Sequence, residues 1–311
     1  MKPIEDCTVG IVGMGVMGGA VAMALGRLAP ARLLACDTDG GAVGAALADG
    51  VIQEAFADAA AMLGRCDLVY LCVNPSALPG FMEARMRDFK SGALITDVAG
   101  VKGGIAKVME NGLRGDLDYI PGHPMAGSEG GGYARARNCD FRGKNYILTP
   151  LKRNRPENLA YLKGLIRRMG FGRITVTTPE DHDRKIALSS QLCHVIAASL
   201  IDCEADTGIA RFGGGSFEDL TRIAMLNAPM WTELFLENRE ELLARIGRFG
   251  ESLDALRALI AGKDAAALEA RLLAVRERRA AMAEEENRGQ QNSCPGILDD
   301  ALNTLPGSWE T

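Results

Sequence analysis

Histidine is scarce in this chain, with three in 311 residues: His123, His182 and His194. His182 lies between Asp181 and Asp183, a grouping that could suggest metal ligands, but carboxylates at a helix start are favoured by the helix dipole alone, so no metal is expected. The eight cysteines form no C-x-x-C pair and mostly sit inside apolar runs, which excludes a dithiol motif of that spacing and makes reduced core residues the expectation. A basic surplus is missing as well. With 35 Lys and Arg against 40 Asp and Glu, the net charge of −5 leaves no general face for nucleic acid or anionic lipid, and an anionic ligand must be held by individual Arg or Lys side chains. No uncharged run reaches the length of a membrane span, there is no internal repeat, and the N-terminus enters an apolar run without the basic, apolar and small-residue succession of a leader. A cytoplasmic chain with no nucleic-acid or membrane partner is therefore expected.

What is present is ordinary globular composition, 47% hydrophobic and 24% charged, at a length that fits about two domains. Thr8-Val9-Gly10-Ile11-Val12 reads as a buried parallel strand, and Val16 to Leu28 has helical periodicity with small residues on one face. Between them stands Gly13-Met14-Gly15-Val16-Met17-Gly18. Gly13 permits the tight turn, Gly15 lets backbone N–H groups approach a pyrophosphate, and Gly18 lets helix and strand pack closely. The helix start then faces the phosphates, with Met17 in its first turn. Arg32 to Cys36 reads as the second strand and ends at Asp37, where a carboxylate accepts from the adenosine ribose and disfavours a 2′-phosphate, so NAD is favoured over NADP.

Downstream, the spacing predicts helices over Gly41 to Ala48 and Glu54 to Leu63, a strand at Asp67 to Val73 stopped by Asn74-Pro75, and a helix reaching about Phe89. A strand at Ala93 to Thr96, a helix from Gly103 to Glu110 and a strand at Asp118 to Ile120 complete the series. This is the β-α-β rhythm of an α/β protein with a doubly wound parallel sheet, whose ligands lie beyond the carboxyl ends of the strands. Gly13, Asn74, Asp97 and His123 all stand at such ends. His123-Pro124-Met125-Ala126-Gly127-Ser128-Glu129 thus brings a proton acceptor toward the reacting carbon of a dinucleotide enzyme, and the turn and this segment together read as a dehydrogenase.

The character of the chain changes near residue 151. Lys152-Arg153-Asn154-Arg155-Pro156 reads as a connector, followed by a helix to Met169 and a strand at Ile174 to Val176. Thr178 is placed to cap a helix beginning at Pro179, which would measure about 45 Å if it ran unbroken to Gly208. Helices are also predicted at Phe217 to Leu226, Pro229 to Arg248, Glu251 to Ala261 and Asp264 to Glu285. The expected organisation is a dinucleotide-binding domain over 1–150, a helical domain over 151–285, and a loose tail over 286–311, rich in Gln, Asn, Gly and Pro.

Several of these motifs, in this order, resemble the prephenate and arogenate dehydrogenases of tyrosine biosynthesis. They are the glycine turn, Asp97-Val98-Ala99-Gly100-Val101-Lys102, the segment from His123, His182-Asp183 with Ser190-Gln191-Leu192-Cys193-His194, and Gly215 to Ala224 leading to Pro229-Met230-Trp231. The resemblance covers about residues 6 to 285. It implies an N-terminal Rossmann-type domain, a helical domain that forms a homodimer, and NAD-dependent oxidative decarboxylation of prephenate to 4-hydroxyphenylpyruvate. By the same resemblance His123 is the catalytic base, while His194 and Arg222 contact the dianionic substrate, Glu129 pairs with Arg222 as a gate, and Ser128 stands beside the substrate. The cofactor residues are Gly13, Gly15, Met17, Gly18, Asp37, Asn74 and Asp97.

The chain departs from the family at Gly100, where relatives commonly carry Ser, and at Glu218, where they often carry a basic residue. Other readings stay open at this point: arogenate as the substrate, or a non-catalytic NAD-binding regulator. A β-hydroxyacid dehydrogenase would need a catalytic Lys on the interdomain helix, and Ile186 to Ile201 holds none.

Overall fold

The computed structural model describes residues 1–127 and 130–291, with side chains described as far as residue 285. In chain order its first elements are β1 (Thr8–Val12), α1 (Val16–Gly26), β2 (Arg32–Cys36), α2 (Gly40–Ala48), β3 (Glu54–Phe56), α3 (Ala60–Leu63), β4 (Leu68–Leu71), α4 (Ala77–Arg85), β5 (Leu94–Asp97), α5 (Gly103–Gly112) and β6 (Asp118–Ile120). These strands form one parallel sheet in the order β3-β2-β1-β4-β5-β6, reversing direction of travel between β1 and β4. Alternation along the strands supplies two apolar faces. Val9, Ile11, Leu33, Ala35, Tyr70 and Leu94 pack on the side of α1, whereas Val12, Leu34, Val69, Leu71 and Ile95 pack with Met62, Met82, Ile105 and Met109 from α3, α4 and α5.

Next come β7 (Gly122–Pro124), β8 (Asn145–Leu148), α6 (Pro156–Arg168) and β9 (Arg173–Val176), and the three strands make a second sheet in the order β7-β8-β9. β7 and β8 are antiparallel and β8 and β9 parallel, so this sheet draws on both sides of residue 150. α7 (Pro179–Ile186), a π-helical turn over Ala187–Gln191 and α8 (Leu192–Asp202) follow. As expected, Thr178 caps α7 by accepting from the Asp181 N–H, and Pro179 opens the helix. The remaining helices are α9 (Gly215–Thr221), α10 (Ala228–Glu237), α11 (Arg239–Ala261) and α12 (Ala265–Gln291).

Several elements differ from the sequence reading. Glu54–Phe56 is a strand paired to β2 at Leu34, Ala35 and Cys36, so the helix expected across Glu54 to Leu63 is confined to its last four residues. The expected 45 Å helix is interrupted by the π turn and ends at Asp202. α10 stops at Asn238, whose φ of −112° and ψ of 28° leave the helical region, and α11 runs through both segments expected on either side of residue 250. α12 continues to Gln291, six residues into the expected tail; the rest of that tail, residues 292–311, lies outside the described residues. The chain divides into two compact units, Met1–Gly250 and Glu251–Thr311, and the second holds the end of α11 and α12. Among the described residues no helix is long and apolar enough to cross a membrane.

Candidate active site

The glycine turn has the local geometry its residues imply. Gly13 has φ of +93°, and a side chain there would lie 2.4 Å from the Cys72 carbonyl oxygen. A Cβ at Gly18 would lie 1.8 Å from the Gly13 carbonyl oxygen, so only glycine lets α1 pack this closely on the turn. At Gly15, by contrast, a Cβ would meet nothing within 4 Å, leaving open space in front of the start of α1. The residues therefore fit a pyrophosphate on this turn, with Gly15 and the first N–H groups of α1, including that of Met17, available to hold it. Asp37 at the end of β2 accepts from the Met14 N–H through one oxygen and from the Asp39 N–H, at 2.8 Å, through the other. It is half-exposed beside the turn. Asn74 is exposed just beyond β4.

Asp97, expected at the cofactor, is instead fully buried. Its oxygens accept from the Ala99 N–H at 3.1 Å, the Gly122 N–H at 3.0 Å and Lys102 Nζ at 2.6 Å. Lys102, equally buried, also donates Nζ to the Gly122 carbonyl oxygen. The pair thus holds both backbone groups of the residue preceding His123. An ion pair this deep is costly to desolvate and persists because every polar atom has a partner. Burial pushes the Lys102 ammonium below its ordinary range, against the opposing pull of Asp97.

His123 lies in the middle of β7, opposite Ile147, rather than in a loop after β6. Its Nδ1 is 2.9 Å from His182 Nε2, and His182 Nδ1 is 2.6 Å from Asp183 Oδ1. Asp183 also accepts the Lys102 N–H at 2.9 Å and the Gly103 N–H at 2.7 Å, so a side chain from α7 caps the start of α5. Because this carboxylate is an acceptor, His182 carries its hydrogen on Nδ1 and accepts at Nε2, and His123 must then donate from Nδ1. His123 Nε2 is left as a lone-pair acceptor on a partly exposed imidazole. Burial, followed by the charges of His182 and Lys102, holds His123 well below the usual histidine value, so it is neutral at physiological pH.

His182, Asp183 and Lys102 were given no site role by the sequence reading, although all three stand in the motifs that carry the family resemblance. A further network underlies them. Asn238, at the end of α10, donates to the Asp183 carbonyl oxygen at 2.9 Å and to Gln191 Oε1 at 2.7 Å, and Gln191 Nε2 donates to the Leu234 carbonyl oxygen at 2.8 Å.

The residues expected to meet substrate are dispersed over the helical part. His194 on α8 is half-buried, donates Nδ1–H to the Ser190 carbonyl oxygen at 2.9 Å, and stacks on Trp231 with ring centroids 3.6 Å apart. Burial lowers its pKa. Arg222 stands at the start of the 3-10 turn Arg222–Ala224 and is exposed, as is Glu218 on α9. Ser128 and Glu129 lie outside the described residues. Gly100, beyond β5, does not have a positive φ; a Cβ there would lie 3.0 Å from Leu234 Cδ2 and 3.9 Å from His123 Cε1. Among the described residues no group of His, Cys, Asp and Glu is arranged to hold a metal ion.

Comparison with known proteins agrees with this arrangement. The nucleotide-binding domain of prephenate dehydrogenase matches residues 21–176, and the dimerization domain of prephenate dehydrogenase matches residues 178–274. The chain is 28% identical over 272 residues to the prephenate dehydrogenase of Bacillus subtilis, covering 85% of this chain and 73% of that protein. It is 34% identical over 204 residues to the cyclohexadienyl dehydrogenase of Zymomonas mobilis, covering 64% and 69%. Among solved structures, the prephenate dehydrogenase of A. aeolicus in complex with hydroxyphenyl propionate and NAD+ superposes with a TM-score of 0.80 at 29% identity, covering 88% of this chain and 98% of that one. The arogenate dehydrogenase of Synechocystis gives 0.74 at 27% identity, covering 88% and 99%. The fold and both halves of the chain agree, and this protein belongs to the prephenate dehydrogenase family.

Proposed function

We propose that this enzyme oxidises and decarboxylates prephenate to 4-hydroxyphenylpyruvate with NAD, and that His123 is the base. The observation that carries this reading is the Asp183–His182–His123 chain, which leaves one imidazole nitrogen, His123 Nε2, neutral and free to take the proton of the ring hydroxyl. Bound NAD would supply the hydride acceptor for the carbon bearing that hydroxyl. The chain's own part is to hold the base in one tautomer, to fix its strand through Asp97 and Lys102, and to place cations around a dianion. Arg222 suits a carboxylate because its planar guanidinium can make two parallel hydrogen bonds. His194, its ring fixed by Ser190 and Trp231, presents Nε2 as the second contact. Asp37 would accept from the ribose hydroxyls, and Glu129 and Ser128 would close the substrate side.

Arogenate is the second reading. The similarity to a cyclohexadienyl and to an arogenate dehydrogenase keeps it in view, and Glu218 offers a carboxylate for an amino group. The test is to mix the purified protein and NAD with prephenate or with arogenate and to follow NADH. Prephenate is expected to be the better substrate; NAD binding without turnover of either would make the protein a regulator instead.

The division of labour follows the same reading, with dinucleotide binding assigned to the first part and substrate binding and dimerisation to the second. We place the border after β9 rather than at 150, because β9 pairs with β8. The working form is taken to be a cytoplasmic homodimer. In the first unit Phe212, Met225 and Leu236 are 85%, 80% and 64% exposed, and in the second Ile260, Leu272 and Val275 are all more than half exposed. A single chain that leaves this much apolar surface in water calls for a partner surface.

A further inference from the structure

Among the described residues, the charged groups facing the His123 and His182 imidazoles are Lys102 from the start of α5, Asp97 from β5 and Asp183 from α7. Lys102 Nζ is committed to Asp97 and to the Gly122 carbonyl, and the negative charge nearest an imidazole is that of Asp183, in contact with His182 and not with His123. His182 is 1% exposed and Asp183 8% exposed, whereas His123 is partly exposed.

We propose that the proton taken from the substrate hydroxyl comes to rest on His182, not on His123. The idea rests on His123 being the base. In the step, the substrate O–H bond breaks as a His123 Nε2–H bond forms, and the His123 Nδ1–H bond breaks as a His182 Nε2–H bond forms. His123 ends neutral, as the Nε2–H tautomer. His182 ends as an imidazolium whose Nδ1–H still donates to Asp183. No other reactant is needed, and the positive charge moves away from the carbon that loses hydride toward a buried carboxylate. After product leaves, the transfers reverse and His123 Nε2 returns the proton to solvent through the open side of the site.

The physical reason for this resting place is the asymmetry of the two rings. Burial and the positive charge of Lys102 disfavour a charged His123, and a cation on His182 would disfavour it further. His182 is also disfavoured by burial, but its hydrogen bond and charge interaction with Asp183 oppose that penalty. His182 is therefore a relay residue that acts through His123, without touching substrate.

With only three histidines in the chain, nitrogen NMR of the protein labelled at histidine can decide the matter without substrate or cofactor. At pH about 8, near neutrality for any histidine, both His123 and His182 are expected to carry hydrogen on Nδ1 alone. On acidification His182 should become the first cation of the pair, and His123 should switch from the Nδ1–H to the Nε2–H tautomer in the same transition. If His123 becomes the cation while His182 stays neutral, the proposal is overturned. Turnover supplies the second arm. His182→Gln retains an amide oxygen to accept from His123 Nδ1 but cannot take the proton, so kcat should fall about 10²-fold and the proton inventory in mixed H₂O and D₂O should change from curved to linear. Wild-type kcat with an unchanged curve in His182→Gln would refute the relay, yet would leave the base assignment standing if His123→Asn is inactive. Full activity of His123→Asn would refute the base assignment itself. Should His182→Gln fail to fold, the tautomer switch in the unmodified protein decides alone.

Discussion

At position 100 the room for a side chain comes down to a few tenths of an ångström. A positive φ would have made serine there a strained residue, but Gly100 has none, so backbone conformation does not exclude a side chain. What stands in the way is the Leu234 methyl 3.0 Å from the Cβ position. Gly100→Ser alone should therefore fold with a loss of about 1 kcal/mol from overpacking and gain little activity. With Leu234→Ala as well, a hydroxyl fits close to the His123 ring, and kcat/KM should rise by up to roughly tenfold, the worth of one hydrogen bond made in the transition state. Steady-state kinetics of the single and double variants check this; no gain in the double variant would mean that the hydroxyl is not needed at this site. The residues of the glycine turn were legible in the sequence because Gly13 and Gly18 answer local steric demands and Gly15 leaves the start of α1 open. The Asp183–His182–His123 chain was not, because 59 positions separate the two histidines and only the approach of α7 to β7 joins them. The same holds for Asp97, which stands at a strand end as expected, while its burial depends on a Lys102 ammonium folding back beneath the loop.

Where the reading of elements failed, it failed for identifiable reasons, although β6, with only three residues, was read at its observed bounds. β1, α1, β2, β4 and β5 are long enough for apolar runs or alternation to show. β3 and β7 have three residues each, too few for a period, and exist because neighbouring strands offer them hydrogen bonds. The π turn inserts a residue into an otherwise continuous helical pattern and carries no Gly or Pro to mark it. The break between α10 and α11 is equally unmarked. It is held by Asn238, whose amide ties the end of α10 to Asp183 and Gln191. Asn238→Ala should leave the Gln191 amide oxygen unpaired in a buried place and strip the Asp183 carbonyl of one of its two donors, the Ala187 N–H remaining, lowering stability by about 1–3 kcal/mol. Because Asp183 orients His182, kcat should fall as well while NAD affinity holds. Denaturant unfolding together with NAD titration measures both; a stability loss with unchanged kcat would separate the network from the site.

For the whole molecule, the buried histidines make stability depend on pH in a definite direction. His123 and His182 both have folded-state values lowered below the ordinary 6.5, so between that value and their folded values the unfolded chain binds protons that the folded chain resists. The stabilising contribution is complete above about pH 6.5 and is lost as pH falls through the folded values. Thermal melts at fixed protein concentration should show Tm decreasing from pH 7.5 to 5, less steeply in His182→Gln; a Tm independent of pH over that interval would contradict the burial of neutral imidazoles. Holding concentration fixed matters because the proposed homodimer would gain stability by mass action.

The parallel sheet, through Asp97 and Lys102, the second sheet, through β7, and α7, through His182, together position His123, and the account stands on its acting as the base. The most direct measurement is kcat/KM for prephenate in His123→Asn beside the NAD dissociation constant of the same variant. Loss of a positioned base predicts a fall of about 10² to 10⁴-fold in kcat/KM with NAD binding unchanged, since the glycine turn proposed to hold the dinucleotide is untouched. Near-parent turnover in a variant that binds NAD normally would contradict it.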